Sequence, residues 1–236
     1  MNILGTILRS AVDIASPPEC LVCGRRLIDG EHYMCLHCLM ALPRTNTHLN
    51  DMHRIPMRML RHVPNCRLAS WFRYSNGSPY NILIKRIKYH DSPQLAQFLG
   101  RTFAAEIAPS GFFDNIDALI PVPLHWTRRL KRGYTQTLRI AKGISEHTGI
   151  PILDNLRATR PHSTQTALSR TERSMNIRSE IFDVRNPSAL SGKTILLIDD
   201  VATTGATLEA CVMAITAHAP DIAGINLATL AVTDDF

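Results

Sequence analysis

Four large apolar residues, Ile195-Leu-Leu-Ile198, run without a break into two acids, Asp199-Asp200, and no other feature constrains this chain as tightly. Consecutive apolar side chains bounded by polar ones read as a strand buried on both faces, because alternate residues of a strand point to opposite sides. Both carboxylates then fall at its carboxyl end, where open α/β sheets bind ligands. The segment continues through Val201, Ala202, Thr203, Thr204, Gly205, Ala206 and Thr207 into a helix whose apolar positions are Leu208, Cys211, Val212 and Ile215. Amides at a helix start, the positive end of its dipole and three hydroxyls make a phosphate cradle over Ala202 to Thr207. Gly205 lets the backbone approach the phosphate closely. The acids lie too near that cradle to bind phosphate and are placed to accept hydrogen bonds from sugar hydroxyls. A sugar 5′-phosphate with free cis-hydroxyls fits both halves, whereas an ordinary strand–turn–helix needs neither a double Asp nor three Thr here.

The rest of the pattern alternates in the same way. A strand is predicted over 67–74, helices over 79–90 and 93–108, and a strand over Ile116–Val122 that ends in Pro121-Val122-Pro123. A helix follows Gly133 with Tyr134, Leu138, Ala141 and Ile144 on one side. A short strand near Ile152, a long polar loop over 157–178, a helix to about His218 and a final strand over Ile225–Val232 complete the order. Strands alternating with helices imply an α/β fold, a mostly parallel sheet with helices on both faces. At 236 residues and 45% hydrophobic, the chain can build one such unit plus a small appendage, and it is not a disordered protein. No apolar run reaches the roughly 18 residues of a membrane span, so no stable membrane insertion is expected. Residues 1–14 are apolar at helical spacing, which fits an amphipathic helix packed on the body better than a signal peptide, and points to a cytoplasmic protein.

Four of the six cysteines form two knuckles, Cys20-x2-Cys23 and Cys35-x2-Cys38, separated by eleven residues. Two thiolates per turn, taken twice, complete the tetrahedral sulfur set that zinc favours, and four protein ligands leave no open position, so the site is structural. A segment of about 30 residues cannot bury enough core to fold alone, whereas metal binding supplies that free energy. Redox C-x-x-C chemistry is disfavoured by the lack of a strand–helix context. His32, His37 and His48 rank below the thiolates as ligands. Cys211, on the apolar face of its helix, reads as core.

The net charge of +6 is unevenly spread. Residues 54–90 hold eight Lys/Arg and no acid, residues 125–142 six and none, and residues 157–178 five against Glu172 alone. Such segregation points to a polyanionic partner, a phosphorylated metabolite or a nucleic acid, with solvated helix faces as the plainer alternative. Trp71, Phe72, Tyr74, Tyr80 and Tyr89 fall within the first basic stretch and fit either base stacking on a single strand or, more commonly, core. No Ser-His-Asp or Cys-His nucleophile set is present.

Four apolar residues, two acids and T-T-G-x-T resemble the signature of type I phosphoribosyltransferases, which bind 5-phosphoribosyl-1-pyrophosphate (PRPP). Leu83-Ile-Lys85-Arg-Ile-Lys88-Tyr-His, Pro121-Val-Pro-Leu-His125 with Arg129, Arg132-Gly-Tyr-Thr-Gln136, and Gln165-Thr-x-Leu168-Ser with Arg173 and Asn176 are similar to the ComF family of competence-associated proteins. That family also carries an N-terminal four-cysteine zinc knuckle. The likeness covers about residues 15–235. Where the family usually has Arg-Gly-Phe-Asn-Gln, this chain has Tyr134 and Thr135.

The resemblance implies a phosphoribosyltransferase-like domain over 67–236, preceded by a helix and zinc module over 1–45 and a connector over 46–66. It implies that Asp199 and Asp200 hold the ribose hydroxyls and act in catalysis with Arg173. Ala202, Thr203, Thr204, Gly205, Ala206 and Thr207 would hold the 5′-phosphate. Val122, Pro123, Arg128, Arg129 and Arg132 would lie near the pyrophosphate, with Gln165, Arg170, Arg173 and Asn176 on a lid formed by 157–178. The implied cofactors are structural zinc on the four cysteines and Mg²⁺ carried with PRPP. The implied reaction is displacement at C1 of ribose, in competence, DNA uptake or nucleotide metabolism. The other implied reading is a non-catalytic, PRPP-responsive protein that binds single-stranded DNA through Lys85, Lys88 and Arg128, with other competence proteins as partners. A zinc-dependent nucleic-acid protein with a vestigial pocket is opposed by the intact Asp-Asp and Thr-Thr-Gly-Ala-Thr.

Overall fold

The computed structural model describes residues 18–49, 61–63, 65–90, 92–124, 134–159, 181–233 and 236. The elements, in chain order, are α1 (Leu36–Met40), β1 (Leu68–Arg73), α2 (Asn81–Tyr89), α3 (Pro93–Ile107), β2 (Ala118–Pro121), α4 (Gln136–Thr148), β3 (Leu156–Ala158), β4 (Phe182–Val184), β5 (Thr194–Ala202), α5 (Ala206–His218) and β6 (Gly224–Val232). Four strands form one sheet in the order β1-β6-β5-β2, and every neighbouring pair is parallel. The fold is therefore the α/β arrangement expected.

β5 sits inside the sheet, which explains its unbroken apolar run. Ile195 and Leu197 enter one core with Leu208, Cys211, Val212 and Ile215 of α5. Leu196 and Ile198 enter the other with Leu95, Leu99 and Phe103 of α3 and Ile140 and Ile144 of α4. Helices thus cover both faces, as a parallel sheet requires. The strand expected near Ile152 is reduced to one parallel bridge at Leu119, whose N–H donates to the Pro151 carbonyl at 2.8 Å.

Two expectations are corrected. α4 begins at Gln136, so Tyr134 precedes it and Leu138 is only half-buried. Its buried face instead includes two polar residues, Gln136 and Thr137, because each finds a partner inside: the Thr137 hydroxyl donates to the Val122 carbonyl at 2.6 Å. Residues 157 and 158 are not loop; β3 pairs antiparallel with β4, placing Arg157 opposite Asp183 with its Nε 2.9 Å from the Asp183 carboxylate. Two three-residue strands are too short to show a period in sequence. Trp71, Phe72 and Tyr80 are buried, the core placement favoured from sequence over base stacking; of that aromatic group Tyr89 is well exposed.

The cysteine module is docked on the body. Leu27, Met34 and Leu42 belong to the same core as α2 and α3. Arg44 grips Glu106 of α3 with Nε at 2.5 Å and a second nitrogen at 3.0 Å, and Tyr80 donates its hydroxyl to the Cys38 carbonyl at 2.9 Å. The connector, where described, is irregular apart from a 3-10 turn at Thr47–Leu49. The helix expected over 1–14 lies outside the described residues. Among the described residues no helix is long and apolar enough to cross a membrane.

α3 and α4 meet backbone to backbone through two glycines. A Cβ on Gly143 would lie 2.0 Å from the Gln97 carbonyl oxygen, and one on Gly100 would lie 2.2 Å from that of Ile140. Neither neighbour is a side chain that can turn away. Gly143→Ala is expected to destabilise the chain by about 1–3 kcal/mol or more, read from urea or thermal unfolding, despite the higher helix propensity of alanine.

Candidate functional site

Three parts of the fold converge where β5 ends. β5 delivers Asp199 and Asp200, one after the other, just beyond its buried run. β2 ends beside it: the Val122 N–H donates to the Ile198 carbonyl at 2.8 Å, and the Val122 carbonyl is capped by Thr137 at the start of α4. Val122 is buried and Pro123 half-buried at this edge. α2 closes the third side with Lys88.

The two acids are not equivalent. Asp200 is 4% exposed, and both its oxygens are engaged. Oδ1 lies 3.1 Å from the Lys88 ammonium, and Oδ2 accepts from the Gln136 side-chain amide at 3.0 Å. Asp199 accepts the Asp200 N–H at 2.8 Å. Burial, followed by the neighbouring Asp200 charge, pushes the Asp199 carboxyl up to about 7, against the opposing pull of that N–H and of Lys88. In the core beneath, burial and the nearby Asp199 charge raise the thiol of Cys211.

The turn after the acids is built as a cradle. Ala202 is buried, Thr203 and Thr204 are exposed, and Ala206 and Thr207 are half-buried on the first turn of α5. Gly205, the residue before α5, adopts φ 73°, the left-handed region that a residue with Cβ occupies only with strain. At the start of that turn the Ala206 N–H points at the Thr204 hydroxyl at 3.4 Å, and the Glu209 N–H closes the turn on the Gly205 carbonyl at 2.9 Å. Thr233, after β6, steadies the turn from the side: its N–H donates to the Ala202 carbonyl at 3.0 Å and its hydroxyl to that of Thr203 at 3.3 Å.

The four knuckle cysteines form a second, separate site. Their sulfurs all lie within 4.8 Å of one another, and Cys23 Sγ is 3.8 Å from Cys35 Sγ. Four sulfurs about 2.3 Å from one tetrahedral zinc stand about 3.8 Å apart, so the set fits that ion. The Cys35 N–H points at the Cys20 sulfur and the Cys38 N–H at that of Cys35, both at 3.4 Å. Burial raises the Cys20 thiol, but N–H groups from Cys35, Cys23 and Val22 outweigh it and bring it down to about 6. Burial and the adjacent thiols raise Cys38. Four thiolates this close repel one another, and a bound cation removes the conflict. Glu31 ties the two knuckles together by accepting the Leu36 N–H at 2.7 Å and the Ile28 N–H at 3.0 Å.

Comparison with known proteins matches residues 89–233 to the phosphoribosyl transferase domain. The chain is also 30% identical to Competence protein ComFC of Bacillus subtilis over 197 residues, 78% of each chain. The chain belongs to the ComF family of phosphoribosyltransferase-like proteins. It is 30% identical to Competence protein F of Haemophilus influenzae over 135 residues, 56% of this chain and 59% of that protein's length. Among solved structures, it is similar to a glutamine PRPP amidotransferase of B. subtilis complexed with ADP and GMP, with a TM-score of 0.42 at 15% identity over 61% of this chain and 30% of that one. An adenine phosphoribosyltransferase of Leishmania tarentolae gives 0.34 at 13% identity over 62% of this chain and 74% of that one.

In this family member the structure brings Asp199, Asp200, Ala202 to Thr207, Val122 and Pro123 to one edge of the sheet. Lys85 is exposed on α2, while Lys88, assigned from sequence to nucleic acid, turns onto Asp200. Arg128, Arg129, Arg132, Gln165, Arg170, Arg173 and Asn176 lie outside the described residues. Gln136, quoted in the family motif without a role, proves to hold Asp200. Its place in that motif, within the basic stretch 125–142, was the signal in sequence; the partner sits 64 residues away.

Protein purified without chelator is expected to carry one zinc per chain by elemental analysis. Stripping the metal, or Cys35→Ser, should lower Tm by several degrees, since the module shares a core with α2 and α3. Zinc well below one per chain would count against the site. Asp199 keeps a proton in the folded chain up to about 7, where the ordinary carboxyl loses it near 3.8. Stability should therefore fall as pH rises between those values. Asp199→Asn should remove that fall and gain on wild type at pH 8 relative to pH 5; equal effects at both would place the titration elsewhere.

Proposed function

We propose that this chain binds PRPP and transfers its phosphoribosyl group to an acceptor in a Mg²⁺-dependent reaction, serving competence, DNA uptake or nucleotide metabolism. One observation carries the reading: paired carboxylates at the end of a doubly buried strand stand directly before a glycine-bent turn that opens a helix. A pentose 5-phosphate spans the two, its hydroxyls toward Asp199 and Asp200 and its phosphate over Thr203 to Thr207. The names of the relatives support the competence setting.

In the reaction the bond from C1 to the diphosphate oxygen breaks, the diphosphate leaves with that electron pair, and the acceptor nucleophile bonds to C1. Holding the sugar at two points fixes C1 relative to the acceptor, and that positioning supplies a large share of the rate. In this reading the edge at Val122 and Pro123 receives the leaving diphosphate; the roles of Arg128, Arg129 and Arg132 toward the diphosphate, and of Gln165, Arg170 and Arg173 in excluding water from the reacting carbon, rest on the family resemblance. Mg²⁺ supplies charge neutralisation on the diphosphate. It keeps several waters and takes few protein ligands, which suits a site where Asp200 is already paired and Asp199 is reluctant to ionise.

The exposed side of α2 favours a second reading, a PRPP-responsive protein that binds single-stranded DNA without catalysis. Lys85, Arg86, Tyr89 and His90 are all exposed there, Tyr89 to 71%, which sets an aromatic ring among basic side chains on one surface.

Titration calorimetry is expected to show PRPP binding to wild type with Mg²⁺ and its loss in Asp199→Asn/Asp200→Asn, with unfolding unchanged in cooperativity. Labelled PRPP incubated with a panel of bases and single-stranded DNA should release diphosphate for one acceptor. Unaltered PRPP affinity in the double variant would overturn the ribose assignment, and tight binding without release would favour the second reading.

A further inference from the structure

We propose that Lys88 exchanges partners on substrate binding, leaving Asp200 to a pentose hydroxyl and turning to the diphosphate on C1. The proposal rests on the PRPP reading and assigns a substrate contact to a residue one position before the segment matched to the phosphoribosyl transferase domain. Asp200 is nearly sealed from solvent, with Oδ1 on Lys88 and Oδ2 on Gln136. A sugar hydroxyl that donates to this carboxylate must displace one of the two.

Gln136 is the fixed partner. It is 5% exposed, lies on the first turn of α4, and is followed by Thr137, whose hydroxyl is anchored to the end of β2. Lys88 is the movable one: it sits on the last turn of α2, its side chain keeps 24% of its accessible surface, and its stem has four rotatable carbons. A half-buried ammonium drawn off a carboxylate needs another anion. PRPP brings one, because its diphosphate is bonded to C1, next to the carbon bearing the 2-hydroxyl. The carbonyl oxygen of Gln136 points to the same exchange. It is buried and has no hydrogen-bond donor among the described residues. An acceptor in that state is costly to leave unmet; with one pentose hydroxyl donating to Asp200, the neighbouring hydroxyl, arriving as Lys88 withdraws, donates to it.

The exchange predicts opposite behaviour toward two ligands that differ only in the diphosphate. Titration calorimetry with Mg²⁺ compares wild type, Lys88→Met and Lys88→Arg against PRPP and against ribose 5-phosphate. Lys88→Met is expected to weaken PRPP by at least about tenfold, as loss of one charge-assisted contact implies, and to leave ribose 5-phosphate unchanged or tighter. Lys88→Arg should hold PRPP within a few-fold of wild type. Should Lys88→Met fail to fold, Lys88→Gln makes the same comparison. Equal weakening of both ligands, or of neither, overturns the exchange while the PRPP reading stands. Wild type binding neither ligand overturns both.

Discussion

β5 is apolar on both faces because both are covered, and that constraint organises the rest of the molecule. Its first acids come where β2 ends beside it, and the buried one, Asp200, is tolerated because Lys88 of α2 and Gln136 of α4 meet its oxygens. The parallel register then brings β2 alongside, with the Val122 N–H on the Ile198 carbonyl one residue before Asp199. The start of α5 is set by the same chain turn, at a glycine with φ 73°. Acids, strand edge and helix start are therefore one consequence of one buried strand.

Two adjacent carboxylates in a water-poor crevice repel each other, and the protein resolves this unevenly. Asp200 is given an ammonium and an amide; Asp199 holds its proton up to about 7. One acid is thereby held by two partners, and the other is a group whose charge changes near neutral pH. The knuckle thiols pose the same problem at the other end of the chain. There one thiol is brought low by N–H groups while its neighbour is raised, a split that a tetrahedral cation abolishes.

α2 touches both the cysteine module and the crevice. Tyr80 caps Cys38 at its beginning, Leu83, Ile84 and Ile87 pack into the shared core, and Lys88 reaches Asp200 near its end. A nine-residue helix spans the two sites. The module is held against the same core by the Arg44–Glu106 pair and by the Tyr80 hydroxyl on the Cys38 carbonyl.

The central strand, the acids, the glycine-bent turn, the four-cysteine set and the alternation of helices with strands were all legible in the sequence, because each rests on spacing within a few residues. Tyr134 and Leu138 were misread as a helix face because α4 buries Gln136 and Thr137, and a buried polar residue has no hydrophobic signature. β3 and β4 escaped because three residues cannot display a period. The pairing of Lys88 and Gln136 with Asp200 joins segments 112 and 64 residues apart in the chain. Local chemistry determined which residues could carry a site; the distances that turn a basic-helix lysine into the partner of a buried acid exist only once the sheet has closed, since they are set by packing between elements that no stretch of sequence contains.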